Sequence, residues 1–180
     1  EDIFSERSIP PWANSAMDGY AVRSEDIKNA TKGNPVELKV IERIQAGVKA
    51  KSVLREGEAI RIMTGAPMPQ GADAIVLQEE TEESDSGVVK IYLSVESGES
   101  VRVAGEDVEI GELVVSKGTK LTPPAIGMLA NIGMDSCSVY NKPRVAILAT
   151  GEELVDLKEI PDEGQIFNSN SYALAAQVEE

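Results

Sequence analysis

Over the first two thirds of the chain, apolar positions come in short runs set between polar ones. In "VELKVIERI" (Val36 to Ile44), Val36, Leu38 and Val40 alternate with Glu37 and Lys39. That two-residue period predicts a half-buried strand. "AIRIM" (Ala59 to Met63) and "AIVLQ" (Ala74 to Gln78) predict two more strands, joined by "TGAPMPQGAD", whose prolines and glycines mark a loop. "VVKIYLSV" (Val88 to Val95) predicts another strand, and the acidic link before it, "EETEESDSG", an exposed hairpin loop. "ELVVS" and "TKL" predict brief β segments on either side of Lys117-Gly118. No helix is expected between about residues 20 and 120.

The pattern then changes. "TPPAIGMLANIGM" opens on prolines, spaces Ile126, Leu129 and Ala130 as one helical face, and meets Gly133, which predicts a short helix. "SCSVYNKP" predicts a strand and a break. "RVAILATGEEL" holds a continuous apolar run, Val145 to Ala149, followed by a glycine turn. Such a run predicts a central parallel strand. A helix is expected to begin near "SNSYALAAQVEE", with Ser or Asn as its cap. The tail therefore reads as the first βα unit of an α/β domain. The chain begins at Glu1 rather than Met and stops inside a helical pattern, so both ends read as those of a fragment.

Composition narrows the chemistry. The 180 residues suit one medium domain or two small ones, and no apolar run approaches a membrane span. A net charge of −14 disfavours nucleic acid or an anionic membrane as partner. A single cysteine, Cys137, excludes an intrachain disulfide and makes a cytoplasmic setting the expectation. There is no histidine, so no Ser-His-Asp triad and no His-ligated metal site can form within this chain. A metal here would be held by oxygen, which favours Mg²⁺ or Ca²⁺. Neither a phosphate-binding GxxxxGK[ST] loop, a GxGxxG turn nor a CxxC pair is present.

Five stretches could carry chemistry. Asp18 in "AMDGYAV" sits between apolar flanks, as if a stiff loop presented one acid, although Asp-Gly is also a common turn pair. Thr64-Gly65 follows a predicted strand and offers a hydroxyl and backbone N–H groups to an oxyanion, or is an ordinary proline-rich connection. Glu106-Asp107 in "AGEDV" reads as a candidate acid pair or as a solvated turn. Glu152 and Glu153 in "TGEEL" would stand outside the carboxyl end of the predicted parallel strand, where ligands of open α/β sheets bind. Asn168, Ser169, Asn170 and Ser171 would open the last helix, as an anion site or as simple caps. Cys137 reads as a small buried hydrophobe, and Trp12, after two prolines, as an anchor for the N-terminal segment.

Taken in order, "NSAMDGYAVR", "RIMTGAPMPQGADAIV", "RVAGEDVEIGELV", "GTKLTPPAIGMLANIG", "KPRVAILATGEELV" and "GQIFNSNSYAL" closely resemble the MoeA family over nearly the whole chain. Its members are the molybdenum-inserting enzymes of molybdenum cofactor synthesis, and the E domain of gephyrin belongs with them. The resemblance implies a multi-domain α+β protein. A mostly-β domain, residues 17–107, would be inserted into a small α/β domain split into residues 1–16 and 108–140. Residues 141–180 would begin a truncated α/β molybdopterin-binding domain.

The resemblance also implies the activity of a molybdopterin molybdenumtransferase. Adenylylated molybdopterin and molybdate would be the substrates, with Mg²⁺-dependent release of AMP. Asp18, Asp107 and Glu153 match the family's functional acids, as catalytic or Mg²⁺-organising groups. Thr64, Glu152 and Asn170 match substrate-binding positions. A homodimer is implied, and contact with other proteins of cofactor biosynthesis is a further possible partnership. Two positions depart from the family's pattern: Asn168 stands where Asp is frequent, and Ser171 where Arg is frequent. The competing readings are a non-catalytic scaffold of the gephyrin type, a tungsten insertase, and an unrelated Mg²⁺-dependent nucleotide hydrolase.

Overall fold

The computed structural model describes residues 1–179, which form two compact units, Glu1–Cys137 and the described residues from Ser138 onward. The first unit holds strands β1 (Ile3–Phe4), β2 (Asn14–Ser15), β3 (Gly19–Val22), β4 (Val36–Ile44), β5 (Glu58–Ile62), β6 (Ala74–Leu77), β7 (Thr81–Glu83), β8 (Val88–Ile91), β9 (Val101–Arg102) and β10 (Leu113–Val115), then helix α1 (Pro123–Asn131). The second holds β11 (Leu154–Val155), β12 (Ile166–Phe167) and helix α2 (Ser169–Glu179).

Six strands make one mixed sheet in the order β6-β3-β5-β4-β8-β7, with β4 and β5 parallel and the other pairs antiparallel. β6 and β7 lie at opposite edges, yet a single 3-10 turn, Gln78–Glu80, joins them in the chain. The sheet must therefore curl until its edges approach. The Tyr20 hydroxyl on β3 accordingly reaches Glu83 Oε2 on β7 at 2.7 Å.

Curling covers both faces. Tyr20, Val22, Leu38, Ala59, Val76, Val89 and Ile91 share one core, while Ala21, Ile44, Ile60, Ile62 and Ile75 share the other. All four residues of β3 are consequently buried. The alternation seen at Val36, Leu38 and Val40 breaks at a bulge near Ile41, after which Ile41 and Ile44 turn to the second core. Gly19 opens β3 because nothing larger fits: a methyl there would overlap the Val76 carbonyl. Asp18 thus ends the short loop between β2 and β3, and Gly19 begins a fully buried strand.

Below the sheet's ends, β1 pairs with β10, and Ile3, Ile9, Val108, Val115, Leu129 and Ile132 form a third core. α1 begins on Pro123 and Pro124 and ends at Asn131, with Ile132 as its cap and Gly133 just beyond, whose φ of +80° suits glycine. The Arg7 guanidinium packs against that glycine. Cys137 is half-buried at the margin of this core rather than within it. Trp12 stays 53% exposed and belongs to none of the three cores.

Several expected elements differ. The acidic link is partly ordered as the 3-10 turn and β7, because β8 offers it a free edge. β8 stops at Ile91, and the "TKL" stretch forms no strand. Neither "SCSVY", which spans the boundary between the units, nor Val145–Ala149 is a strand, and Leu148 is 87% exposed. A central parallel strand needs hydrogen-bonding neighbours on both edges and cover on both faces; among the described residues this run has no ladder partner. β11 and β12 instead pair in parallel, and α2 follows β12 directly. No helix among the described residues is long and apolar enough to cross a membrane.

Candidate functional site

The first unit presents Asp18 from a chain that is tied down on both sides. Before it, the Ser15 N–H donates to Ala66 O, and Gly65 N–H donates to Ser15 O. The Ser15 hydroxyl donates to the Met17 carbonyl. After it lies buried β3. Asp18 itself is partly exposed, and its Oδ1 accepts two hydrogen bonds, from Thr64 N at 2.8 Å and Thr64 Oγ1 at 2.7 Å. Gln78 N donates to the Asp18 carbonyl at 3.1 Å. The backbone and hydroxyl bonds from Thr64, with the Arg61 charge beside them, hold the carboxyl below the usual aspartate range despite its partial desolvation. Asp18 is therefore a committed anion, with Oδ2 carrying no hydrogen bond among the described residues.

Thr64 behaves as the turn chemistry anticipates, with a twist. Its hydroxyl and N–H do grasp an oxyanion, and that oxyanion is the carboxylate of Asp18. Both donors lie just past β5, which pairs directly with β3 (Gly19 opposite Ile62), so strand register delivers Thr64 to Asp18. The sequence quotes both residues but gives no sign that they meet.

Asp107 is arranged differently. Both of its carboxylate oxygens accept from Arg102 Nη2, at 2.6 Å each. Glu106 also takes part, accepting from Arg102 Nε at 3.3 Å and from Val103 N at 3.2 Å. Arg102 lies on β9, opposite Asn14 of β2 in the segment leading to Asp18. The Arg102 guanidinium is held above its usual pKa by Asp107 and then Glu106. Asp107 is thus a neutralised acid and Asp18 an unneutralised one. Arg102 went unremarked in the sequence reading although it opens the "RVAGED" block.

In the second unit, Glu152, Glu153 and Asn170 are exposed. Glu153 lies immediately before β11, not beyond the carboxyl end of a strand, because Val145–Ala149 forms none. Its carboxylate lies over Gly151, where a side chain would collide with it. The Glu153 carbonyl accepts from Ile166 N at 2.7 Å, tying the acidic turn to β12. At the start of α2, Asn168 Oδ1 accepts from Ser171 N at 3.2 Å. Asn168 is therefore a cap, and Asn170 sits in the first turn without a side-chain hydrogen bond among the described residues.

Among the described residues, no three His, Cys, Asp or Glu side chains gather to form a metal cage. The donors that exist are nevertheless hard carboxylate oxygens. Mg²⁺ commonly takes one or two carboxylates and completes its shell with water and substrate phosphates. Asp18 Oδ2 fits such a partial role, whereas both oxygens of Asp107 are occupied by Arg102.

The first unit combines a curled mixed sheet with the β1–β10 pair and α1, and presents a clasped aspartate where β3 begins. A crystal structure of the molybdopterin biosynthesis MoeA protein from Pyrococcus horikoshii superposes with a TM-score of 0.92 at 40% identity, covering 99% of this chain and 48% of that one. The MoeA N-terminal region (domain I and II) matches residues 1–133, and the chain belongs to the MoeA family. The chain is 43% identical over 178 residues to a molybdopterin molybdenumtransferase of Nostoc sp., and 38% identical over 180 residues to one of Bacillus subtilis. These alignments cover 99% and 98% of this chain but only 41% and 42% of the relatives.

Proposed function

We propose that the protein takes part in molybdenum insertion during molybdenum cofactor biosynthesis, as a molybdopterin molybdenumtransferase acting on adenylylated molybdopterin and molybdate. Its family membership supports the reaction class, and the clasp on Asp18 is the observation that carries the assignment of the site. Two neutral donors fix one oxygen of this acid and leave its charge uncompensated by any salt bridge among the described residues. Asp73 is clasped similarly by Ser24, so the assignment of Asp18 rests on its clasp together with its place in the "NSAMDGYAVR" block.

In this reading Asp18 is the acid that faces substrate. Thr64 orients it. Asp107 supplies, through Arg102, a fixed cation and anion pair near the segment that carries Asp18. On the family resemblance alone, Glu152, Glu153 and Asn170 are proposed as substrate or metal contacts. Bound Mg²⁺ would supply charge neutralisation between anionic substrates and an acidic protein, with Asp18 Oδ2 as one of its oxygen ligands. The family resemblance extends the proposal to a homodimer.

The test is turnover by the full-length protein with AMP-linked molybdopterin, molybdate and Mg²⁺. Asp18→Asn is expected to lower molybdenum insertion by about 10²–10³ while the protein stays folded, the size expected for losing one preorganised charged group. Normal turnover by that variant would remove Asp18 from the site.

A further inference from the structure

We infer that Arg61 is a positioning residue for Asp18 and acts through the side chain of Gln78. On β5, Arg61 stands directly opposite Tyr20 of β3. Its guanidinium lies over the Tyr20 ring, 4.8 Å from the centroid. Its Nη2 donates to Gln78 Oε1. Gln78 in turn donates its backbone N–H to the Asp18 carbonyl, while Thr64, just beyond the end of β5, donates to the Asp18 carboxylate. The residue is therefore clasped twice, at its carbonyl and at its carboxylate, and Arg61 immobilises the first of those clasps.

The arrangement requires an arginine. A planar guanidinium can stack on a ring with its face while its edge donates a hydrogen bond, which a lysine ammonium cannot do in the same pose. The platform beneath is rigid, since Tyr20 is buried and its hydroxyl is fixed on Glu83, which also takes Arg43. Arg61 makes no salt bridge among the described residues, although acidic residues far outnumber basic ones in the chain. Its partners are a ring and an amide, and both lie on the path to Asp18.

The proposal depends on the functional reading above only for its catalytic consequence, and the experiment separates the two. In the 180-residue chain, Arg61→Gln and Gln78→Ala are made singly. Hydrogen exchange is followed at the amide of residue 78, which donates to the Asp18 carbonyl. Both variants are expected to speed its exchange by about tenfold, the size of one hydrogen bond involving a charged group. Gln78→Ala keeps the arginine charge, so faster exchange in Arg61→Gln alone would mean that Arg61 acts by charge and would overturn the positioning role. So would unchanged exchange in both variants. If Arg61→Gln does not fold, Gln78→Ala decides by itself. Normal turnover in full-length Asp18→Asn would sink the functional reading without touching this result.

Discussion

Asp18 and Asp107 are two acids in the same unit that solve the same problem in opposite ways. Each is held at the surface by short hydrogen bonds. Asp18 is held by a neutral amide and hydroxyl from Thr64 and keeps its charge. Asp107 is held by Arg102 and gives its charge up to an ion pair. Their frames differ too. Asp18 precedes a glycine wedged under a carbonyl in a buried strand, whereas Asp107 follows Gly105, a turn glycine at φ +79° with only ordinary contacts around it. On the proposed function, an acid that meets an anionic substrate through a cation is served by the first arrangement. The second serves to build a local field without adding net charge.

The largest expected break in that comparison is functional. In the full-length protein, Asp107→Asn should reduce molybdenum insertion less than the roughly 10²–10³ expected of Asp18→Asn, because Arg102 already neutralises Asp107. Equal losses would show that the ion pair itself contacts substrate.

The two glycines come next. Gly19→Ala should destabilise the chain by about 3 kcal/mol in chemical denaturation, since its methyl meets fixed backbone rather than a side chain that can swing away. Gly105→Ala should cost only about 1–2 kcal/mol, the usual penalty for a left-handed residue with a Cβ. A small cost at Gly19 would mean that β3 and β6 can separate, and that the frame of Asp18 is softer than it looks.

Acid titration gives a smaller effect with a definite sign. The folded-state pKa of Asp18 lies below its ordinary value of 3.8. Its contribution to stability is therefore complete above that value and is lost as the pH falls through the lowered one. Melting temperature followed between about pH 5 and pH 2 should fall less steeply in Asp18→Asn than in the parent chain. Asp73 also titrates low, because hydrogen bonds from Ser24 outweigh the opposing effect of burial, so part of the acid slope survives the substitution.

The smallest effect belongs to the exposed pair. Arg102→Gln should shift the melting temperature less than Gly105→Ala does. That shift should shrink further towards about 1 M salt, where screening acts within roughly 3 Å.

Much of the β-rich body was legible because it rests on short-range rules. Alternation at Val36, Leu38 and Val40 marked β4, and the apolar pentads at Ala59 and Ala74 marked β5 and β6. The Pro-start, Gly-end signature marked α1 to within a residue or two. The second unit was read less well. Val145–Ala149 looks like a buried parallel strand, but a strand is a property of a ladder, and no partner strand lies beside it among the described residues. Glu152 and Glu153 were placed at the end of that strand by the same rule and therefore stand elsewhere, before β11.

The candidate site shows where sequence stops. By itself the chain excluded a histidine-based triad or a His-ligated metal within its own 180 residues, and its ordered blocks determined the family. Only the tertiary structure decided which donors each acid would meet. Asp18 and Thr64 lie far apart in sequence and are brought together by the pairing of β3 with β5. Arg61 reaches Tyr20 by the same register, and Gln78 reaches Asp18 because β6 runs beside β3. Local patterns record how each segment prefers to bend and which side it buries. The register between strands distant in sequence comes from packing two cores at once, and no short window of residues contains that information.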